Sequence, residues 1–315
     1  MTLSGFSMVK NADKLFYPIK PAIESILPIV DEFVVAVGDC DADDHTREII
    51  ESIGDPRVKI IDTVWDIEKY PRGTENAHQS NIAKEACSGD WLFYLQADEV
   101  IHEKYLPVIE RRCRELVDDK EVEGLLFKYM HFWGDFWHYH TGHGWYRNEI
   151  RIVRNDPDIY SWTSAQSFRR IPHFDGKDHR QKEGTYKLKV ADVDAYVYHY
   201  GWVRPPQLMK NKMKALSTIH KGNVAGGRED KIRNFDYGPL DKLKKFEGTH
   251  PRVMQSWIRQ FDWQDKLQYS GKPRKDRKKH RHERAGNRII SWIENKILGG
   301  RTIGGAKNWH KLWKK

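Results

Sequence analysis

Three cysteines, Cys40, Cys87 and Cys113, stand in 315 residues, and no two of them form a C-x-x-C pair. The chain therefore offers no paired disulfide framework, which favours a reducing compartment. No apolar run approaches the ~20 residues that a membrane-spanning helix needs. The N-terminus lacks a basic stretch followed by an apolar core, so no signal peptide is expected. These absences together predict a soluble, cytoplasmic protein. Glycine is also missing where a triphosphate cradle would need it: Lys10-Asn11-Ala12 follows the first strand pattern, which counts against a nucleotidyltransferase. No internal repeat is visible.

Aromatic residues, by contrast, are abundant, with 12 Trp, 14 Tyr and 12 Phe, many of them in the middle third. The length suffices for one large core, or for one core and a smaller lobe. The net charge of +9 is unevenly placed. Residues 272–315 hold 15 Lys and Arg against 3 Asp and Glu, which leaves 39 against 42 of the chain's 54 and 45 in residues 1–271. The body is near neutral and the basicity belongs to the tail.

Strand and helix patterns alternate over residues 1–130. Strands are expected at 5–9, 33–37, 58–61, 91–95 and 124–129, and helices at 21–27, after Asp43 or Asp44, at 75–87 and at 106–117. Repeated βαβ units imply an α/β fold with a doubly wound, mainly parallel sheet. From 129 to 146 the pattern breaks into aromatics, histidines and glycines, as in a binding loop or a twisted hairpin. Further strands are expected at 150–153 and 196–199 and a helix at 207–220, followed by a break over 222–227. The organisation predicted is a catalytic domain over 1–215, a small helical appendage over 216–270, and a basic tail with an amphipathic helix over 271–315.

The stretch Gly89-Asp90-Trp91-Leu92-Phe93-Tyr94-Leu95-Gln96-Ala97-Asp98-Glu99 is the most telling. A short apolar run between Gly-Asp and two acids reads as a buried parallel strand that delivers carboxylates to its C-terminal edge, where open α/β sheets bind ligands. An acid held there is suited to fixing a divalent cation that also holds phosphate.

With Met8-Val9-Lys10-Asn11, Asp39-Cys40-Asp41-Ala42-Asp43-Asp44-His45-Thr46, Gln96-Ala97-Asp98-Glu99 and Tyr198-His199-Tyr200-Gly201-Trp202 in this order, the first two-thirds of the chain resembles family-2 glycosyltransferases of the GT-A fold. The resemblance implies transfer of a sugar from a UDP- or GDP-linked donor to a hydroxyl of a glycan or lipid-linked acceptor, in glycan or cell-envelope polysaccharide assembly. It implies nucleotide contacts from Asn11 and from Asp39 or Asp41, between which the sequence does not choose. Asp43 and Asp44 read as turn and cap residues. Asp98 is expected to bind Mn²⁺ or Mg²⁺ bridging the donor phosphates, with His199 as a further metal or phosphate contact. Gln96 stands where relatives carry an acid, and is expected to bond donor hydroxyls. Glu99 is read as a cap for the following helix, and Arg204 as a bidentate partner of the diphosphate.

An inverting transferase also needs a carboxylate to take the acceptor's proton. The position where relatives carry that base aligns with Gln166, which cannot serve, so Asp175 and then Glu149 are the candidates. The loop from Met130 to His140 pairs flat aromatic faces with polar tips, as an acceptor platform would. The spacing of His138, His140 and His143 matches no standard zinc site. In the tail, Lys272-Pro273-Arg274-Lys275 opens a strongly basic run, and Ile289, Ile290, Trp292, Ile293, Ile297 and Leu298 follow at helical spacing. That combination suits peripheral attachment to an anionic membrane surface. The rival readings are a merely solvated tail, or a nucleic-acid-binding protein that works through these charges.

Overall fold

The computed structural model describes residues 1–222, 235–304 and 307–313. The chain is an α/β protein built on one curled sheet. Its N-terminal half alternates β1 (Leu3–Val9), α1 (Ile19–Glu24), β2 (Glu32–Val37), α2 (Thr46–Glu51), β3 (Val58–Asp62), α3 (Thr74–Glu85) and β4 (Trp91–Tyr94). β5 (Glu99–Ile101), α4 (Leu106–Leu116), β6 (Gly124–Trp133), β7 (His138–His140) and β8 (Asn148–Arg154) follow. Then come β9 (Ile159–Trp162), β10 (Ser167–Arg170), β11 (Tyr186–Trp202) and α5 (Pro206–Lys221). The strand order is β3-β2-β1-β4-β8-β6-β11-β10-β9. The first four are mutually parallel, β8 runs antiparallel between β4 and β6, and β6 is parallel to β11.

The two-residue period of a strand explains why both faces of this sheet are covered. On β2, Phe33, Val35 and Val37 join Ile23, Ile50 and Ile109 from α1, α2 and α4 on one face. Val34 and Ala36 join Ala83 and Cys87 from the α3 side on the other. β4 divides in the same way, with Trp91 and Phe93 on the first face and Leu92 and Tyr94 on the second. Continuous apolar runs of this kind are the signature of buried parallel strands.

The aromatic segment 129–146 is a hairpin rather than a loop. β6 continues through Met130, His131, Phe132 and Trp133, and β7 folds back antiparallel onto it. Phe132 and Phe136 are fully buried beside Tyr198 and Tyr200, so these aromatics serve as core. The break expected over 222–227 lies, beyond Gly222, outside the described residues. The helix over 207–220 is present as α5, which crosses the expected domain boundary at 215.

The stretch expected as a helical appendage, where described beyond α5, holds only short pieces: three 3-10 turns (Leu240–Lys242, Arg252–Met254 and Gln264–Lys266), the single-turn α6 (Gln255–Ile258) and the two-residue β12 (Lys244–Lys245). It is held by burial of Tyr237, Leu240, Met254 and Trp263 rather than by helical periodicity. The basic tail packs back on the body through α7 (Ala285–Trp292), which runs on as one π-helical turn (Ile293–Ile297), and through β13 (Trp309–Lys311), which is parallel to β11. Among the described residues, no helix is long and apolar enough to cross a membrane.

Candidate active site

A cleft of about 1030 Å³ opens at the C-terminal rim of β1 and β4. Asn11, Asp41, Gln96, Asp98 and His199 all line it, although up to 188 positions separate them in sequence. The loop after β1 holds Asn11 in the left-handed region (φ 55°), which Asn tolerates better than most residues. Its Oδ1 accepts from the Asp41 N–H at 2.8 Å, locking the loops after β1 and β2 together. The Asp41 carboxylate faces the cleft and pairs with Lys14 Nζ at 2.8 Å. Asp39 turns away from the cleft, where it accepts from Lys10 Nζ at 2.8 Å and from the Trp65 N–H at 2.9 Å. Trp65 and Lys10 both line the cleft, and Asp39 touches the site through these two partners. Asp44 accepts from the Thr46 N–H at 3.0 Å and the Lys14 N–H at 3.0 Å, a turn role, while the N-cap position of α2 falls to His45, with no side-chain cap bond.

Asp98 and His199 come together because β5 pairs antiparallel with β11, with His199 opposite Glu99. β6 lies on the other side of β11 and sets His131 beside His199. His131 Nε2 donates to the Tyr146 carbonyl at 2.8 Å, so its Nδ1 is left to accept from His199 Nδ1, 3.0 Å away. Burial, then the neighbouring His199, holds His131 well below the usual imidazole range. Burial also lowers His199. Two neutral rings in this arrangement leave His199 Nε2 with a bare lone pair, 3.7 Å from Asp98 Oδ1. Two electron-pair donors facing one space suit a cation. Gly201 makes the approach feasible: a Cβ there would lie 2.5 Å from His199 Nε2 and 2.6 Å from Asp98 Oδ2.

The residues thus fit a divalent cation that shares its coordination sphere with phosphate and water. Among the described residues, no group of three His, Cys, Asp or Glu could hold a metal alone. The arrangement also contains a third party that the sequence did not single out. Lys212, on α5, reaches Asp98 Oδ2 at 2.9 Å and also donates to the Gly201 carbonyl at 2.6 Å. Burial would raise the Asp98 carboxyl, but Lys212 and then His199 outweigh it and hold it well below the carboxylate range. Burial brings the Lys212 ammonium down to about 8, so at neutral pH the pair is charged.

Other site candidates are placed elsewhere. Glu99 is not a helix cap: it is fully buried and takes both nitrogens of the Arg151 fork at 2.7 Å, with Tyr129 Oη donating at 2.8 Å. Arg204 is buried with its fork committed to the backbone carbonyls of Leu15 and Gly201, the latter at 3.2 Å, and its guanidinium lies over the Tyr17 ring. Gln96 donates to the Ala165 carbonyl at 3.0 Å from the cleft wall. Glu149 is buried on β8 behind that wall, with Oε2 lacking any partner. Burial pushes its carboxyl up to about 7. Asp175 is exposed in the loop after β10, where it accepts from the Lys177 N–H at 2.9 Å and does not line the cleft.

The far wall of the cleft is aromatic and basic: Trp133, Trp145, Tyr146 and Trp202, with His280, Arg281 and His282 from the tail. Trp133 and Trp202 stack at 4.9 Å. His140 is buried against Trp145 with both ring nitrogens unpartnered. Because residues 280–282 close the cleft, the tail is part of the site. A basic run alone carried no sign of this.

No protein-family model matches the chain, and no curated protein matches it in sequence. Among solved structures it is similar to S. aureus TarS 1-349, with 15% identity over 73% of this chain and 69% of that one and a TM-score of 0.36. Against the longer S. aureus TarS structure it covers 42% of that chain at a TM-score of 0.35. Glucosyl-3-phosphoglycerate synthase from Mycobacterium tuberculosis, crystallised with Mn²⁺, UDP and phosphoglyceric acid, shares 20% identity over 41% of this chain and 42% of its own, with a TM-score of 0.29. These likenesses are partial, and the fold and cleft described above rest on this chain's own strand order and side-chain geometry.

Proposed function

We propose that the cleft transfers a glycosyl group from a nucleoside-diphosphate sugar to a hydroxyl of a glycan or lipid-linked acceptor. The observation that carries this reading is the convergence of Asp98 Oδ1 and His199 Nε2 at the strand rim, beside the Asn11–Asp41 pair. Asn11 and Asp41 are suited to reading N–H and O–H donors of a base and ribose, with Trp65 as a flat neighbour. Asp98 and His199 would hold Mn²⁺ or Mg²⁺, which when bound neutralises the charge growing on the departing diphosphate. Gln96 presents polar atoms to the sugar. Trp133, Trp145 and Trp202 offer apolar faces, and Arg281 and the tail histidines polar tips, to an acceptor sugar.

In the transfer, the acceptor oxygen forms a bond to the anomeric carbon as the bond from that carbon to the diphosphate breaks, with inversion. The electron pair leaves with the diphosphate. We assign the hydroxyl proton to Glu149, reached by relay because neither it nor Asp175 lines the cleft: burial pushes its carboxyl up to about 7 and leaves Oε2 unpartnered, which suits accepting a proton at neutral pH. Arg204 and Lys212 act as positioning residues around Gly201 and Asp98.

The test is a panel of UDP- and GDP-sugars, each assayed with and without Mn²⁺ for thermal stabilisation and donor hydrolysis, on wild type and Asp98→Ala. A Mn²⁺-dependent response to one donor, absent in the variant, is the expected result. Silence towards every donor overturns the reading. Glu149→Gln and Asp175→Asn then separate the two candidate bases: the first is expected to lower kcat, the second to leave it unchanged.

A further inference from the structure

Helix α7 is mounted the opposite way from an ordinary surface helix. Such helices bury their apolar stripe and turn charges to water. Here the polar side faces the body. Ser291 Oγ accepts from the His143 N–H at 2.7 Å, and the fully buried Glu294 meets His143 Nδ1 at 2.8 Å and the Ile303 N–H at 2.8 Å. Asn295 accepts from Arg147 Nη1 at 2.8 Å and donates to the Thr141 carbonyl at 3.0 Å. These bonds leave Ile289 61%, Trp292 58% and Ile297 62% exposed on the outer side, with Leu298 at 38%. Arg288 and Lys296 flank that ridge, and both are exposed.

We infer that this ridge is a docking face for an anionic lipid surface. The polar bonds fix the helix so that the apolar side cannot fold inward, and isolated surface apolar residues would need no account, but four on one ridge do. The choice of a lipid surface over another protein follows from charge. Residues 272–315 carry 15 basic against 3 acidic residues, and a tryptophan and isoleucines rimmed by Arg and Lys match the layering of a headgroup region over acyl chains. Residues 141–147, on which α7 is mounted, include Gly144, Trp145 and Tyr146 of the cleft wall. Docking would therefore hold the cleft mouth near the bilayer, within reach of a lipid-linked acceptor.

The experiment is flotation of the full chain with vesicles of phosphatidylcholine, with and without phosphatidylglycerol. The expected result is binding to the anionic vesicles alone, released as salt is raised. Trp292→Ser with Ile297→Ser is expected to weaken that binding by about tenfold or more, since the lost apolar area no longer enters the interface. The variant's urea melt and its circular dichroism, compared with wild type, serve as the control for folding. Absence of binding to anionic vesicles overturns the inference, as does equal binding by the variant. So does a wild-type dimer in solution that the variant abolishes, or capture of RNA without capture of vesicles. The vesicles contain neither donor nor acceptor sugar, so this result stands or falls apart from the transferase reading.

Discussion

Lys212 Nζ lies 2.9 Å from Asp98 Oδ2, both groups buried, at the point where the proposed cation would sit beside Asp98 and His199. An ammonium there and a divalent cation compete for one carboxylate. Lys212→Met should therefore bind Mn²⁺ more tightly than wild type, read by titration calorimetry on the protein without donor. The same variant should melt earlier when no metal is present, because removing one member of a buried pair strands the other charge at about 3–5 kcal/mol. A fall in Mn²⁺ affinity would show instead that Lys212 supports the cation.

Gly201 admits no side chain without disturbing the pair. Gly201→Ala should lower Mn²⁺-dependent nucleotide binding by at least about tenfold, because backbone and packed side chains around a Cβ at 2.5 Å from His199 Nε2 have little room to yield. Unchanged binding by calorimetry would mean that His199 is not a ligand.

The Glu99–Arg151 fork is the structural keystone behind the cleft. Arg151→Met is expected to destabilise the chain by about 3–5 kcal/mol in urea melts, since it strands a buried carboxylate. Arg151→Met with Glu99→Leu should recover much of that loss, and failure to recover it would place the energy elsewhere.

Glu149 gives a pH signature with a definite sign. Its folded-state value, about 7, lies above the ordinary 4.5, so the native chain holds this proton where the unfolded chain has lost it. Its contribution to stability is present below about 4.5 and is lost as pH rises through about 7. Glu149→Gln removes that slope and should be the more stable protein at pH 8, by up to ~3 kcal/mol. Chemical melts at pH 5 and pH 8 check it: a wild type and variant that differ equally at both pH values would show that Glu149 ionises normally.

Much of the N-terminal half was legible in the sequence. The runs around Phe33–Val37 and Trp91–Tyr94 are apolar on both faces, which only a covered parallel sheet accommodates, and the acids after them had to fall at its rim. The aromatic segment at 129–146 was harder, because buried and ligand-binding aromatics have the same composition; its strand continuation depends on Tyr198 and Tyr200 of a distant strand. Glu99 looked like a helix cap and Arg204 like a diphosphate partner, yet Arg151 and the Leu15 carbonyl, which occupy them, lie 52 and 189 positions away, and only the Gly201 carbonyl is a near neighbour of Arg204.

The sequence by itself determined the mainly parallel sheet, the rim that carries Asn11, one of Asp39 and Asp41, and Asp98, and the basic character of the tail, because period and local charge are properties of neighbouring residues. Only the tertiary structure decided that His131 fixes the His199 tautomer, that Lys212 meets Asp98, that Asp39 rather than Asp41 is turned from the cleft, and that α7 turns Ile289 and Trp292 outward. Each of these depends on contacts between segments tens to hundreds of residues apart. Such contacts are set by strand register and by where buried polar groups find partners, and neither leaves a local trace in the chain.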